Sequence, residues 1–244
     1  MNPLLRRAAA ELVGTAFLVA AVIGSGTAAV ALSPGDVGLQ LLENSLVTGA
    51  ALVALILALQ PVSAAFNPVV TLVERALGAV TTGEAAVLIL AQIVGGAVGA
   101  IAANLMFDLP AVTLSIHDRG GSGVWLGEVV ATLGLLVVIF GTVRSGRSDR
   151  VAFAVGGYIT AAYWFTSSTS FANPAVTIAR MFSNTFAGIA PASVLMFILM
   201  QLIGGVAGYG LIRLLYPNAS TLATEVAVDR QHQSAARRSR TSAS

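Results

Sequence analysis

Six apolar runs near residues 9–32, 39–60, 84–107, 123–143, 151–169 and 193–215 constrain this chain more than any other feature. A bilayer core about 30 Å thick needs about 20 apolar residues for each helical crossing. Only 10% of the residues are charged and 56% are hydrophobic, against about 25% charged in a soluble domain. Such a chain cannot cover a water-facing surface, and it reads as an all-α integral membrane protein. The first run follows Arg6 and Arg7 and ends in Ala29-Val30-Ala31, as a signal peptide would. It is longer than a signal core, and Glu11 within it has a counterpart later in the chain, so it reads as a crossing.

All thirteen basic residues are arginine. If the N-terminus lies inside, Arg6, Arg7, Arg75, Arg144, Arg147, Arg150, Arg213, Arg230, Arg237, Arg238 and Arg240 share one side, leaving Arg119 and Arg180 on the other. That asymmetry predicts cytoplasmic termini and argues against nucleic acid as a partner; the basic tail reads as solvated, with contact to anionic lipid as the alternative. Residues 1–215 are expected to form one membrane domain, and residues 216–244, rich in Ser, Ala and Arg, a disordered cytoplasmic tail. The absence of cysteine excludes disulfides and thiolate metal sites. His117 and His232 stand apart from any nucleophile or ligand set, so no enzyme, metal or cofactor is expected.

The chain repeats itself. "ELVGTAFLVAAVIGSG" from Glu11 resembles "EVVATLGLLVVIFGT" from Glu128, Asn67-Pro68-Val69 matches Asn173-Pro174-Ala175, and "AQIVGGAVGA" from Ala91 matches "MQLIGGVAGYG" from Met200. The two units span about residues 8–108 and 123–215. Three crossings per unit is an odd number, so the second unit enters the membrane from the opposite face. Inverted repeats place a solute site near the bilayer midplane.

Each Asn-Pro step has the chemistry of a helix start, since Asn is a preferred N-cap and Pro is preorganised for the first helical position. Pro68 to Leu77 would rise about 15 Å, half a membrane. Non-helical backbone at that depth is tolerated only inside protein or beside a water-filled cavity. Two half-helices meeting tip to tip would aim both Asn side chains and two positive dipole ends at one point. Such a point repels cations and offers amide donors to a passing oxygen.

With these features, "SAAFNPVVTL" and "TSFANPAVTI" resemble the two signature loops of the major intrinsic proteins, the aquaporin and aquaglyceroporin channels, across about residues 8–215. The resemblance implies six tilted helices plus two re-entrant half-helices, one pore per subunit, a homotetramer and passive conduction of small neutral solutes across a prokaryotic inner or plasma membrane. It also implies that Glu11 and Glu128 are buried and accept hydrogen bonds from the half-helix loops. Gly95, Gly99, Gly204 and Gly208 form small-xxx-small pairs suited to close helix crossing, with Gln92 and Gln201 as structural support.

The sequence departs from the family at the filter. Val176 stands where Arg usually follows the second Asn-Pro-Ala, and Val69 replaces Ala in the first motif. Arg180, one turn further on, either leans back over the pore or snorkels to the interface, the latter being the preferred reading. Glu74 is its equivalent in the first unit, and both are candidate mouth residues. Family spacing puts the other constriction positions at Val47 or Thr48, Thr160 or Ala161, and Thr169 or Ser170. None is aromatic or histidine, so a pore wider than a water filter is expected.

The reading is a passive channel for glycerol-like solutes or undissociated metalloid acids such as arsenous acid, with water. A strict water channel is one alternative. A proton-coupled transporter using Glu11 and Glu128, or a non-conducting scaffold, are others.

Overall fold

The computed structural model describes residues 2–217. Eight helices are present among them: α1 (Pro3–Leu32), α2 (Val37–Leu59), α3 (Pro68–Ala76), α4 (Thr82–Met106), α5 (Ser122–Arg144), α6 (Val151–Phe165), α7 (Pro174–Arg180) and α8 (Pro191–Leu215). The expected tail lies outside the described residues from 218 onward, as does His232.

Helix starts follow local chemistry. Asn2 accepts from Leu4 N at α1, Asp36 from Leu39 N at α2, and Thr81 with Glu84 forms a reciprocal capping box at α4. Among the described residues five helices are long and apolar enough to cross a membrane. Of the six expected crossings, α6 is the one that falls short. The run expected to extend to residue 169 leaves helical geometry after Phe165, and Thr169, Ser170 and Ala172 take positive φ. This difference has a physical reason: the segment must turn from α6 into α7 within protein, and its Ser/Thr side chains bond to nearby backbone groups, as Thr166 Oγ1 does to Ala162 O at 2.7 Å.

The bundle is built from corresponding helix pairs, α1 with α4 and α5 with α8. Gly95 and Gly99 let α4 lie directly on the α1 backbone, because a Cβ at either would collide with Leu12 O or Ala16 O. Gly204 does the same for α8 against Val129 O. Where lipid supplies no hydrophobic drive between helices, such backbone contact is a main source of cohesion. The short helices α3 and α7 are enclosed by these pairs, with Asn67 and Asn173 at 4% and 5% exposure.

Overpacking at this seam has a direct test. Gly99→Ala should destabilise the protein by about 1–3 kcal/mol, read as a lowered melting temperature in detergent. Gly83→Ala, where a Cβ meets nothing within 4 Å, should leave the melting temperature unchanged.

Candidate functional site

The two half-helices are locked to each other through their capping residues. Asn67 Oδ1 accepts from Val69 N at 3.0 Å, and Asn173 Oδ1 from Ala175 N at 3.0 Å and Val176 N at 3.3 Å. Their amide nitrogens cross over: Asn67 Nδ2 donates to Ala172 O and Asn173 Nδ2 to Phe66 O, both at 2.7 Å. A side-chain amide has two N–H donors, so each Asn retains one beyond this brace. Both asparagines line a cavity of about 410 Å³.

Behind each cap lies a matching polar network. Glu11 accepts from Ser63 Oγ at 2.5 Å, Ala65 N at 2.9 Å, Phe66 N at 2.7 Å and Gln92 Nε2 at 2.8 Å. Glu128 accepts from Phe171 N and Ala172 N at 2.9 Å and from Gln201 Nε2 at 2.6 Å. Gln92 also donates to Thr71 Oγ1 and Gln201 to Thr177 Oγ1, and those hydroxyls donate to Asn67 O and Asn173 O. Both glutamates are fully buried and line neither cavity. Their oxygens accept from loop and glutamine donors, a role in bracing the loops rather than in lining a path.

The large cavity begins near Pro3, Arg6, Gln60 and Ser148, on the side of the N-terminus, and continues past the asparagines to Val176 and Arg180. A second cavity of about 210 Å³ opens on the far side, lined by Val37, Leu41, Asn44, Arg119, Thr169, Arg180 and Phe186. Among the described residues, Arg180 is the one common to both linings. It does not snorkel: it is 2% exposed, its guanidinium lies 3.4 Å from the centroid of the Phe171 ring, and its Nε donates to Ala187 O. The carbonyl and the aromatic face draw it inward, where the interface would have offered only water.

The other sequence candidates divide sharply. Thr48, Ser170, Val176 and Glu74 line the large cavity, and Thr169 the small one. Val47 points outward at 45% exposure, and Ala161 is exposed. Thr160 is used in the α2–α6 crossing, donating to Gly156 O at 2.9 Å and Ser45 O at 3.3 Å. Pro68, Val69, Pro174 and Ala175 are buried but line neither cavity. Val69 packs into an apolar cluster with Val70, Val73, Leu136 and Ile212, because the residues after a cap turn away around the helix.

Three functional candidates escaped the sequence reading. Tyr163 and Phe171 line the large cavity and Arg119 the small one. The phenol of Tyr163 lies 3.1 Å from Thr48 Oγ1, so an aromatic stands beside the passage after all. A signal for Tyr163 was present: Val151, Val155, Ile159 and Tyr163 recur every four residues and all line the cavity, while Ala152, Gly156 and Thr160 form the adjacent row. Arg119 comes from the aperiodic segment between α4 and α5, which gives no such signal. Burial lowers its pKa from the ordinary arginine value, and Tyr163 and Glu128 oppose that shift.

Two half-helices capped by cross-braced asparagines, enclosed by six longer helices and flanked by two cavities, define a membrane channel with internal twofold likeness. The chain matches the major intrinsic protein family over residues 2–166 and 145–241, and it belongs to that family. It is 48% identical over 211 residues to aquaglyceroporin AqpS of Rhizobium meliloti (strain 1021), covering 86% of this chain and 90% of that protein. It is 30% identical over 233 residues to aquaporin Z of Photorhabdus laumondii subsp. laumondii, covering 87% and 98% respectively. The crystal structure of the aquaglyceroporin from Plasmodium falciparum shares the fold, with a TM-score of 0.69 at 18% identity over 89% of this chain and 99% of that one.

The glutamate brace predicts a specific penalty. Glu128→Gln keeps the size but offers one acceptor oxygen, and each loop N–H left unpaired should cost about 1–3 kcal/mol. Thermal unfolding in detergent should show the loss, with a similar loss for Glu11→Gln.

Proposed function

We propose that this chain is a passive channel for small uncharged polar solutes, glycerol-sized molecules and undissociated metalloid acids such as arsenous acid, together with water. The observation that carries the reading is the run of two cavities joined at Arg180, with the free N–H groups of Asn67 and Asn173 partway along an otherwise largely apolar wall. An apolar wall with few donors suits a solute that has both a carbon or metalloid face and hydroxyl groups. The 48% identical relative carries the name aquaglyceroporin, which supports the same solute class.

In this reading Val176, Thr48, Ser170 and Thr169 shape the constriction, and Arg180 supplies the guanidinium that Val176 lacks. Membership of a channel family argues against an enzyme. Four subunits, each with its own pore, would assemble in an inner or plasma membrane with cytoplasmic termini, the arginine-rich side facing inward. Here the small cavity faces outward.

One observation favours a narrower alternative, a strict water channel: Arg180 stands between the cavities and Tyr163 lies beside Thr48. Stopped-flow light scattering on proteoliposomes separates the two. The broad channel should pass glycerol and arsenous acid at least about tenfold faster than empty vesicles, whereas water flux alone would establish the narrow one.

Asn173→Asp places a carboxylate at the brace, removes the donor to Phe66 O, and should abolish solute flux. Arg180→Ala should leave glycerol flux equal or higher while raising permeation of larger polyols several-fold. Equal exclusion of larger polyols by both proteins would remove Arg180 from the constriction.

A further inference from the structure

The small cavity has an electrostatic character that passage of neutral solutes does not call for. Arg119 and Arg180 both line it and both lie against Phe171, with guanidinium carbons 4.9 Å and 3.4 Å from the ring centroid. The two cations are therefore no further apart than those two distances together. Among the described residues neither forms a salt bridge. Glu128 acts on both through space, but its oxygens are engaged by Phe171 N, Ala172 N and Gln201. Asp118 is exposed and accepts from Ser193 Oγ.

Three consecutive carbonyls hold the pair in place. Arg119 Nε donates to Gly188 O at 2.8 Å and its Nη2 to Phe186 O at 3.4 Å, while Arg180 Nε donates to Ala187 O. A guanidinium has five N–H donors, so most of those on both groups find no acceptor among the described residues. Arg180 is almost completely buried, and desolvated cations with unspent donors are costly unless an acceptor reaches them. These contacts leave Nη1 of Arg119 and both Nη groups of Arg180 without an acceptor among the described residues, on two guanidinium groups that line the cavity and have the fork shape that binds carboxylates and oxyanions by paired hydrogen bonds. Val37, Leu41 and Phe186 supply the apolar part of the lining, beside Asn44 and Thr169.

We propose that the small cavity is a binding site for a singly charged oxyanion bearing a short alkyl group, held by Arg119 and Arg180, and that its occupation obstructs the solute path. The anion sits on the Arg180 guanidinium shared by both cavities, so an occupied site closes the junction. Passing further would strip the anion of both arginines and bring it against Val176 and the apolar wall of the large cavity. Neutral solutes present no such charge and are not retained. The obstruction rests on the channel reading above, whereas the binding does not.

Methanesulfonate is a suitable probe, since it stays ionised throughout the working pH range and does not leak across lipid as a neutral acid. Binding is read first, in detergent: methanesulfonate should raise the melting temperature over equal chloride in a saturable manner. Arg119→Gln should weaken that effect at least tenfold in concentration, with Arg119→Lys, which keeps charge but loses the fork, in between. No rise over chloride, or an equal rise in Arg119→Gln, would overturn the site even if the channel conducts normally. Flux is read second, in vesicles, with glycerol permeability normalised to each protein's own value in chloride. Methanesulfonate on the side of the small cavity should reduce it at least threefold in the wild type and much less in Arg119→Gln. Unchanged glycerol flux with bound anion, or methanesulfonate crossing as fast as glycerol, would overturn the obstruction. Absence of glycerol flux in chloride would count against the channel reading alone, because the melting measurement does not depend on conduction.

Discussion

Backbone polarity at the centre of a membrane governs everything else in this molecule. Two chain segments stop being helical in the protein interior, and each leaves N–H and C=O groups that hydrocarbon cannot satisfy. The exchange between Asn67 and Ala172 O, and between Asn173 and Phe66 O, ties the two breaks together so that each resolves part of the other's deficit. The N–H groups of Ala65 and Phe66 are taken up by Glu11, and those of Phe171 and Ala172 by Glu128. Those carboxylates in turn need Gln92 and Gln201, which also hold the threonines that bond the cap carbonyls. Close seating of α4 on α1, and of α8 on α5, brings these donors into range, so the glycine seams and the polar networks are mutually dependent. Removing either would leave buried charge or buried amide without a partner.

The same arrangement fixes the polarity of the large cavity's wall. Because the backbone groups are satisfied by the brace, each capping Asn presents only a single unspent N–H to the cavity. The surrounding wall, built by every fourth residue of α6 and by Thr48, Leu52 and Ile56 of α2, is mainly apolar. That wall presents isolated donors rather than a continuous polar chain. The helix dipoles at both tips add positive potential, and the guanidinium of Arg180 adds more at one end.

Much of the fold could be read from residues because its signals are periodic or duplicated. Apolar runs of bilayer length mark crossings, and an Asn-Pro step recurring in equivalent positions of two related halves marks half-helix starts. The family resemblance, not periodicity, offered Val176 and the pairs Val47 or Thr48 and Thr169 or Ser170, of which Val176, Thr48 and Ser170 line the large cavity. Choosing between Val47 and Thr48, or among Thr160, Ala161 and Tyr163, depends on a rotation of about 100° per residue, and loop gaps blur a register that fine. The four-residue row ending in Tyr163 would have resolved it. Arg180 was misjudged for a different reason: the carbonyls of Phe186, Ala187 and Gly188 that draw it and Arg119 inward belong to a segment with no periodicity. A side chain's destination is not legible when its acceptors come from an irregular loop.

The brevity of α6 carries a last consequence. At 15 residues it rises only about 22 Å, short of a hydrocarbon slab about 30 Å thick. A helix of that length does not cross the slab by itself, and the largely buried turn after Phe165 continues toward α7. The rest of that crossing is made by non-helical chain, so length withheld from the helix goes into the turn that carries Thr169, Ser170 and Phe171 to the cavities.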